Sequence, residues 1–303
     1  MLQKISQRIK WHSLQIKDFF AQRQCHFPAI LSQSDSIRLA AEKKMSISRF
    51  GDGELSLMCG KDLNFQTYDK LLAEKMERVI SNDNPSVLVC LPDCFSSNSL
   101  SRLCATDKSF WKTHLYFFRK EWCRRLDPEK TYGNTWLSRI YSMKWDVMEA
   151  NAIFAELETL WKDRRIVIIE GEYSRLGVGN DCFSGAADIR RIIGPTKNAF
   201  SRYNDLVDAA MSVEKDALMV LALGPTATAM VGDLSDAGYQ AIDLGHLDIE
   251  YEWMRMKALS KLPVRGKFSN EAFLTGQSAQ EVSGSLTDEE YSAYKSQIIA
   301  SFL

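Results

Sequence analysis

Leu218-Met219-Val220-Leu221-Ala222-Leu223-Gly224-Pro225-Thr226, continued through Gly238 to Ala241-Ile242-Asp243-Leu244-Gly245, is the stretch that decides the fold. Six apolar residues end at Gly224-Pro225. A helical pattern then runs from Thr226 to Ala237 and stops at Gly238. Ala241 to Leu244 reads as a second strand closed by Gly245. Short apolar runs of this kind mark strands buried on both faces, and the strand–helix–strand order places them in a parallel sheet. The pattern recurs further out. Met45 to Phe50 is strand-like, Val87 to Leu91 ends in Pro92-Asp93, and Ile166 to Ile169 is closed by Glu170-Gly171. The chain therefore reads as α/β, with a mainly parallel sheet flanked by helices. Ligands of such sheets collect at the carboxyl ends of the strands.

Bulk properties set the bounds. The chain has 303 residues, enough for one large domain or two small ones with a full core. It is 45% hydrophobic and 25% charged, with net charge −1, so nothing points to nucleic acid as a partner. Seven scattered cysteines, with no C-x-x-C, suit reduced thiols in a cytoplasmic protein better than a disulfide framework or zinc site. The chain lacks the 18-residue apolar run that a spanning helix needs. No signal-peptide core stands near residue 1. Leu2, Ile5, Ile9, His12, Ile16 and Phe19 form a helical stripe with Lys4, Arg8, Lys10 and Lys17 around it. That basic amphipathic segment suits a helix packed on the domain or a dimer contact. The alternative is peripheral contact of residues 1–20 with the inner membrane face. A polar linker, Gln277 to Ser285, precedes a closing helix with a capping box, Thr287 and Glu290. The expected organisation is an N-terminal helical segment (1–40), a main domain (41–275) and a helical tail (276–303).

Chemically rich segments follow the strands. Ser48-Arg49-Phe50-Gly51-Asp52-Gly53-Glu54 sets two carboxylates one residue apart on a Gly-flanked turn. Such a pair can hold a hard divalent cation and leave positions open for phosphate oxygens. Glu170 to Asp181 combines Ser174, Arg175, two glycines (Gly177, Gly179) and Asn180-Asp181. A Gly-rich turn admits a diphosphate to the backbone, and Arg grips its oxygens. Neither G-x-G-x-x-G nor a Walker A pattern is present. Gly224-Pro225-Thr226 opens a helix with free N–H groups, and Asp243, His246, Asp248, Glu250 and Glu252 crowd into ten residues.

Taken in order, these blocks resemble the GT-D glycosyltransferases, a bacterial family once known only as a domain of unknown function. The resemblance runs from about Ser46 to Trp253, with a weaker echo at Lys267 to Glu271. It also takes in Tyr132-Gly133-Asn134, Ser138-Arg139 and Lys197-Asn198-Ala199-Phe200. It implies a Rossmann-like fold, a UDP-sugar donor and a divalent metal, Mn²⁺ or Mg²⁺, at Asp52 and Glu54. Cys182 and Gly194 depart from the pattern, where Leu and Cys are expected; no charged group is affected.

Sugar transfer fits the residues. A leaving diphosphate gains negative charge, which a cation and basic side chains stabilise. Arg49, Arg175 and Lys197 are the candidate phosphate contacts, and Asn180 and Asn198 candidates for ribose or base. Gly51, Ser174, Gly179, Gly224 and Thr226 complete the expected nucleotide site. Asp181, His246 and Glu250 are the candidate bases toward an acceptor hydroxyl. The acceptor class is a surface glycan, lipid-linked or glycoprotein. A metal-dependent sugar-nucleotide hydrolase or phosphodiesterase and a non-catalytic nucleotide-sugar binding subunit remain the alternatives, and a homo-oligomer is left open.

Overall fold

The computed structural model describes residues 16, 18, 20–81, 84–268 and 286–303. Within them lie nine strands: β1 (Ala29–Ile30), β2 (Ser46–Arg49), β3 (Val87–Leu91), β4 (Thr131–Asn134), β5 (Arg165–Gly171), β6 (Asp188–Gly194), β7 (Leu218–Ala222), β8 (Ala241–Asp243) and β9 (Ile298–Ser301). They form one sheet in the order β1-β4-β3-β2-β8-β7-β5-β6-β9, and every neighbouring pair is parallel. The helices are α1 (Gln33–Lys43), α2 (Asp52–Met58), α3 (Lys70–Ser81), α4 (Ser97–Ser101), α5 (Ala105–Cys123), α6 (Val147–Glu158), α7 (Tyr203–Met211), α8 (Pro225–Asp236), α9 (Leu247–Arg255) and α10 (Asp288–Ser296). The α/β expectation and its parallel sheet hold.

Alternation along the strands builds a core on each face. Val167 and Ile169 of β5, with Met219 and Leu221 of β7, pack against α3, α5, α7 and α8 through Met76, Trp122, Leu206 and Met230. Ile166, Ile168, Leu218 and Val220 point the other way. They meet Ile37 of α1, Phe154 of α6 and Trp253 of α9. Successive side chains of a strand face opposite sides, so strands apolar at every position need helices on both.

Two features depart from the sequence reading. The apolar-run criterion passes over β6, because Arg190 and Arg191 interrupt its isoleucines. The tail does contain the capped helix, with Thr287 Oγ1 accepting from the Glu290 N–H at 3.1 Å and Glu290 from the Thr287 N–H at 2.8 Å. It also supplies β9, which pairs with β6, so the tail extends the sheet. Most of the N-terminal stripe and the polar linker lie outside the described residues. Asp18 docks on α5 through a buried pair with Arg119 at 2.5 Å.

His114 of α5 is buried, and its Nε2 accepts from the Trp122 indole N–H at 3.0 Å. Burial, with Lys61 adding, holds its pKa down at about 4. A protonated ring would turn a second N–H toward the indole N–H, and the native state resists it. The native state thus binds fewer protons than the unfolded chain between pH 6.5 and 4, so stability must fall as pH drops through that window. The loss from this group is about 2–4 kcal/mol. Urea unfolding at stepped pH should show a shallower acid limb for His114→Gln, which has no proton to gain.

Candidate active site

The sheet has two halves. One contains β1, β4, β3 and β2; the other contains β8, β7, β5, β6 and β9. They meet where β2 pairs with β8, Ile47 opposite Ile242. Several of the motif loops leave the carboxyl ends of the strands at this seam. Arg49, the last residue of β2, reaches across it. Its Nε donates to the Asp243 carbonyl at 2.7 Å, Nη2 to the Asp243 carboxylate at 2.7 Å, and Nη1 to Ser138 Oγ at 2.6 Å. Asp243 is buried, and desolvation pushes its carboxyl up even with Arg49 alongside. Gly245 has φ +49, and a Cβ there would overlap Arg49 Nη2. Only a residue without a side chain lets β8 turn this close to the guanidinium.

Beyond Arg49 the chain turns at Gly51 into α2. Asp52 is exposed there. Glu54 folds back so that its Oε2 accepts from the Gly51 N–H at 2.8 Å. Burial, reinforced by the Asp243 and Asp52 charges, pushes its carboxyl up to about 7, against the pull of Arg49. Two carboxylates near a third acid therefore crowd negative charge at the end of β2. Among the described residues no set of three His, Cys, Asp or Glu is arranged to hold a metal ion by itself. The donor set suits a cation that takes one or two protein carboxylates and completes its shell with phosphate oxygens and water.

Residues 63–67 reach over the same edge, a contribution the sequence reading missed. The Phe65 carbonyl accepts from the Asn198 N–H at 2.8 Å, and Asn198 Oδ1 accepts from the Thr67 N–H at 2.8 Å. The Phe65 ring lies over Gly224 (φ +56), where a Cβ would come within 2.9 Å of it. Thr226 donates to Gln66 Oε1 at 3.4 Å. Gly224, Thr226 and Asn198 thus gather under one loop, with Lys197 exposed beside them. A Phe-Gln-Thr sequence carries no motif that would have flagged this role.

The loop after β5 is occupied differently. Arg175, at φ 50, is buried; its Nη1 donates to the Gly266 carbonyl at 3.0 Å, and its guanidinium lies against Tyr173 and Tyr294. Asn180 donates to Asp248 at 2.7 Å and Glu252 at 2.6 Å. Asp248 in turn pairs with buried Lys267 at 2.5 Å. Gly179 abuts Glu290 of α10. The Ser174 N–H closes a turn onto the Gly171 carbonyl at 2.8 Å. These residues shape the loop and dock the tail.

The three candidate bases separate. Glu250 is fully buried and accepts from the Tyr141 and Ser142 N–H groups at 2.9 and 2.7 Å and from the Ser142 hydroxyl at 2.5 Å. It fixes the chain just after Ser138-Arg139. Asp181 is exposed, and the Tyr251 hydroxyl followed by Arg255 holds it below the usual carboxylate range. Its partners lie one and two turns along α9. His246 sits half-buried at the end of β8, next to Gly245 and three residues from Asp243.

A family model for the glycosyltransferase GT-D fold matches residues 47–272. The chain belongs to the GT-D family. It is 37% identical over 244 residues to the probable glycosyl transferase Gly of Streptococcus gordonii, covering 80% of this chain and 35% of that protein. It is 37% identical over 263 residues to glycosyltransferase GlyD of Streptococcus pneumoniae serotype 4 (86% of this chain, 31% of that protein). The chain thus spans about a third of the length of these curated relatives. A solved domain of unknown function 1792, described as having a distinct glycosyltransferase fold, superposes with TM-score 0.83 at 33% identity, covering 94% of this chain and 99% of that one. A glycosyltransferase of the same domain type from Streptococcus sanguinis gives 0.81 at 34% identity, covering 91% and 100%. The GT-D match begins in β2 and so takes in the whole seam.

The seam contact can be tested without substrate. Gly245→Ala should cost about 2–4 kcal/mol, combining left-handed strain with the overlap on Arg49. Arg49→Ala should cost more, because it leaves Asp243 buried and unpaired. In the double variant the overlap is gone, so urea unfolding should show a cost below the sum of the two by at least about 1 kcal/mol.

Proposed function

We propose that this GT-D chain is a metal-dependent glycosyltransferase domain. It takes a UDP-sugar and passes the sugar to a glycan, lipid-linked or glycoprotein acceptor in the cytoplasm of a bacterium. The observation that carries the reading is the crowded carboxylate pair, Asp52 and Glu54, at the end of a central strand of a family fold, beside a loop-covered edge with an exposed lysine. Asp52 and Glu54 would hold Mn²⁺ or Mg²⁺, which when bound neutralises charge on the diphosphate. Lys197, exposed at the end of β6, is the cation best placed for phosphate oxygens. Arg49 acts one step back: with its bonds to Asp243 and Ser138 it fixes the turn that carries Asp52. Arg175 and Asn180 act through the loop after β5, whose shape they set.

His246 is the base this geometry favours. Glu250 has both carboxylate oxygens engaged by N–H and O–H donors, and Asp181 is stabilised as the anion, which lowers its proton affinity. A half-buried imidazole at a strand end offers a ring nitrogen that can take the acceptor's proton. Among the described residues no helix is long and apolar enough to cross a membrane.

Transfer assays with a panel of UDP-sugars separate the readings. A glycosylated acceptor supports the transferase, free sugar alone a hydrolase, and no turnover a binding subunit. Asp52→Asn and Glu54→Gln should each lower transfer at least about 100-fold with the fold intact by circular dichroism. Wild-type turnover by both variants in the presence of EDTA would overturn the metal assignment.

A further inference from the structure

Helix α9 runs out into a segment, Arg255 to Pro263, that takes no part in the candidate active site. From Trp253 to Asn270 the sequence holds five cations, Arg255, Lys257, Lys261, Arg265 and Lys267, and no acid. In a chain of net charge −1 that is a local concentration of positive charge. Three of the five have acidic partners from elsewhere: Arg255 pairs with Asp181, Arg265 with Glu290, and buried Lys267 with Asp248. Lys257 and Lys261 stand exposed between Arg255 and Arg265. The residues around these two lysines are apolar and also exposed. Leu259 is 83% exposed, Met256 48% and Leu262 42%, and exposed Pro263 follows. Single exposed apolar residues are ordinary; three within seven positions, rimmed by lysines, mark an interaction surface.

The backbone beneath this tip is fixed. The end of α9 closes as a Schellman motif: the Ala258 N–H bonds to the Trp253 carbonyl at 2.9 Å and the Lys257 N–H to the Met254 carbonyl at 3.0 Å. Lys257 takes the left-handed position of that motif, φ 51, where glycine is the usual residue. The Tyr141 hydroxyl then donates to the Ala258 carbonyl and the Trp253 indole N–H to the Leu262 carbonyl, both at 2.8 Å. Ala258 and Val264 are buried in the core on this face of the sheet. A segment bonded at Ala258 and Leu262 and buried at 258 and 264 holds Leu259 out in water.

Shape and charge select the occupant. A projecting apolar tip needs a matching groove on a protein, and a second copy of this chain would set the same lysines against each other. The acyl boundary of a bilayer accepts an apolar tip of any shape, and anionic headgroups complement the lysines. We propose that residues 255–263 dock this chain on an anionic membrane surface. Met256, Leu259 and Leu262 enter the acyl boundary, while Lys257 and Lys261 lie among the headgroups. The contact is peripheral, and it does not depend on the transfer reaction proposed above.

Flotation of the full chain with vesicles tests the proposal at low ionic strength. The chain should float with vesicles of mixed phosphatidylglycerol and phosphatidylcholine, and not with phosphatidylcholine alone. Leu259→Ser should lower the partition about tenfold. Lys257→Gly should lower it about fivefold without lowering the thermal midpoint, because glycine suits the left-handed backbone there. Lys70→Gln, on α3 at the other face of the sheet, should leave it unchanged. Equal flotation on phosphatidylcholine alone, loss in Lys70→Gln, or no flotation would overturn the surface. So would flotation that survives Leu259→Ser or Lys257→Gly, as it would if the basic stripe in residues 1–20 carried the binding. A dimer in sedimentation velocity that Leu259→Ser breaks would give the tip to a second copy and overturn it as well.

Discussion

The contact between Arg49 and Asp243 is the constraint on which the seam depends. β2 and β8 share a single register pair and come from chain positions nearly two hundred residues apart. Backbone bonding along so short a ladder is a thin join between two half-sheets. The guanidinium reinforces it with bonds to a carbonyl and a carboxylate of β8 and a hydroxyl from the segment after β4. Helix α8 is fastened at the same place: Ser48 Oγ donates to the Thr228 carbonyl at 3.2 Å, and Thr228 Oγ1 to the Arg49 carbonyl at 3.0 Å. A buried ion pair gains little net stability over apolar packing, yet a charge left there alone is strongly destabilising. The pair therefore enforces one arrangement of the halves, and with it the position of the turn bearing Asp52.

The far half uses the same device twice. Arg191 of β6 pairs with Glu170 of β5 at 2.5 Å and also donates to the Leu176 carbonyl and to Gln297 of the tail. Lys267 pairs with Asp248, which also accepts the Gly177 N–H at 3.0 Å. Each pair thus holds a loop backbone as well as a partner charge. The Glu170–Asp181 loop carries many polar groups because it is a buried crossing point of strand, helix and tail, and most such groups find partners within the fold. Its richness in charge, read alone, looks like a phosphate cradle; much of it is internal wiring.

How far the sequence was legible follows from these pairs. The strands with apolar runs, β3, β5, β7 and β8, are plain, since burial on both faces favours apolar residues. β6 is hidden because Arg191 is buried through a pairing that no local pattern reveals. β4 is hidden by Gly133, where a Cβ would come within 2.5 Å of Cys90 Sγ on β3. Close strand approach demands the glycine, and the glycine erases the strand signal. At the site, the carboxylates just after β2 and the residues closing β7 and β8 announce themselves by spacing. Residues 63–67 do not, because covering Gly224 depends on ring placement and backbone bonds, which any loop composition can supply.

Helix α8 joins the two ends of this reading. Its first turn carries Gly224-Pro225-Thr226 at the active edge, and its last carries Ser235 toward the opposite edge of the sheet. Nearly every residue between is buried, so the helix can neither bend away nor hydrate its polar groups. Thr226 and Thr228 at one end find oxygen acceptors, as buried hydroxyls must. Ser235 at the other end does not. Ser235 Oγ is one of several buried side-chain atoms left without a hydrogen-bond partner among the described residues, so α8 gives up full bonding at its last turn for the packing along its length.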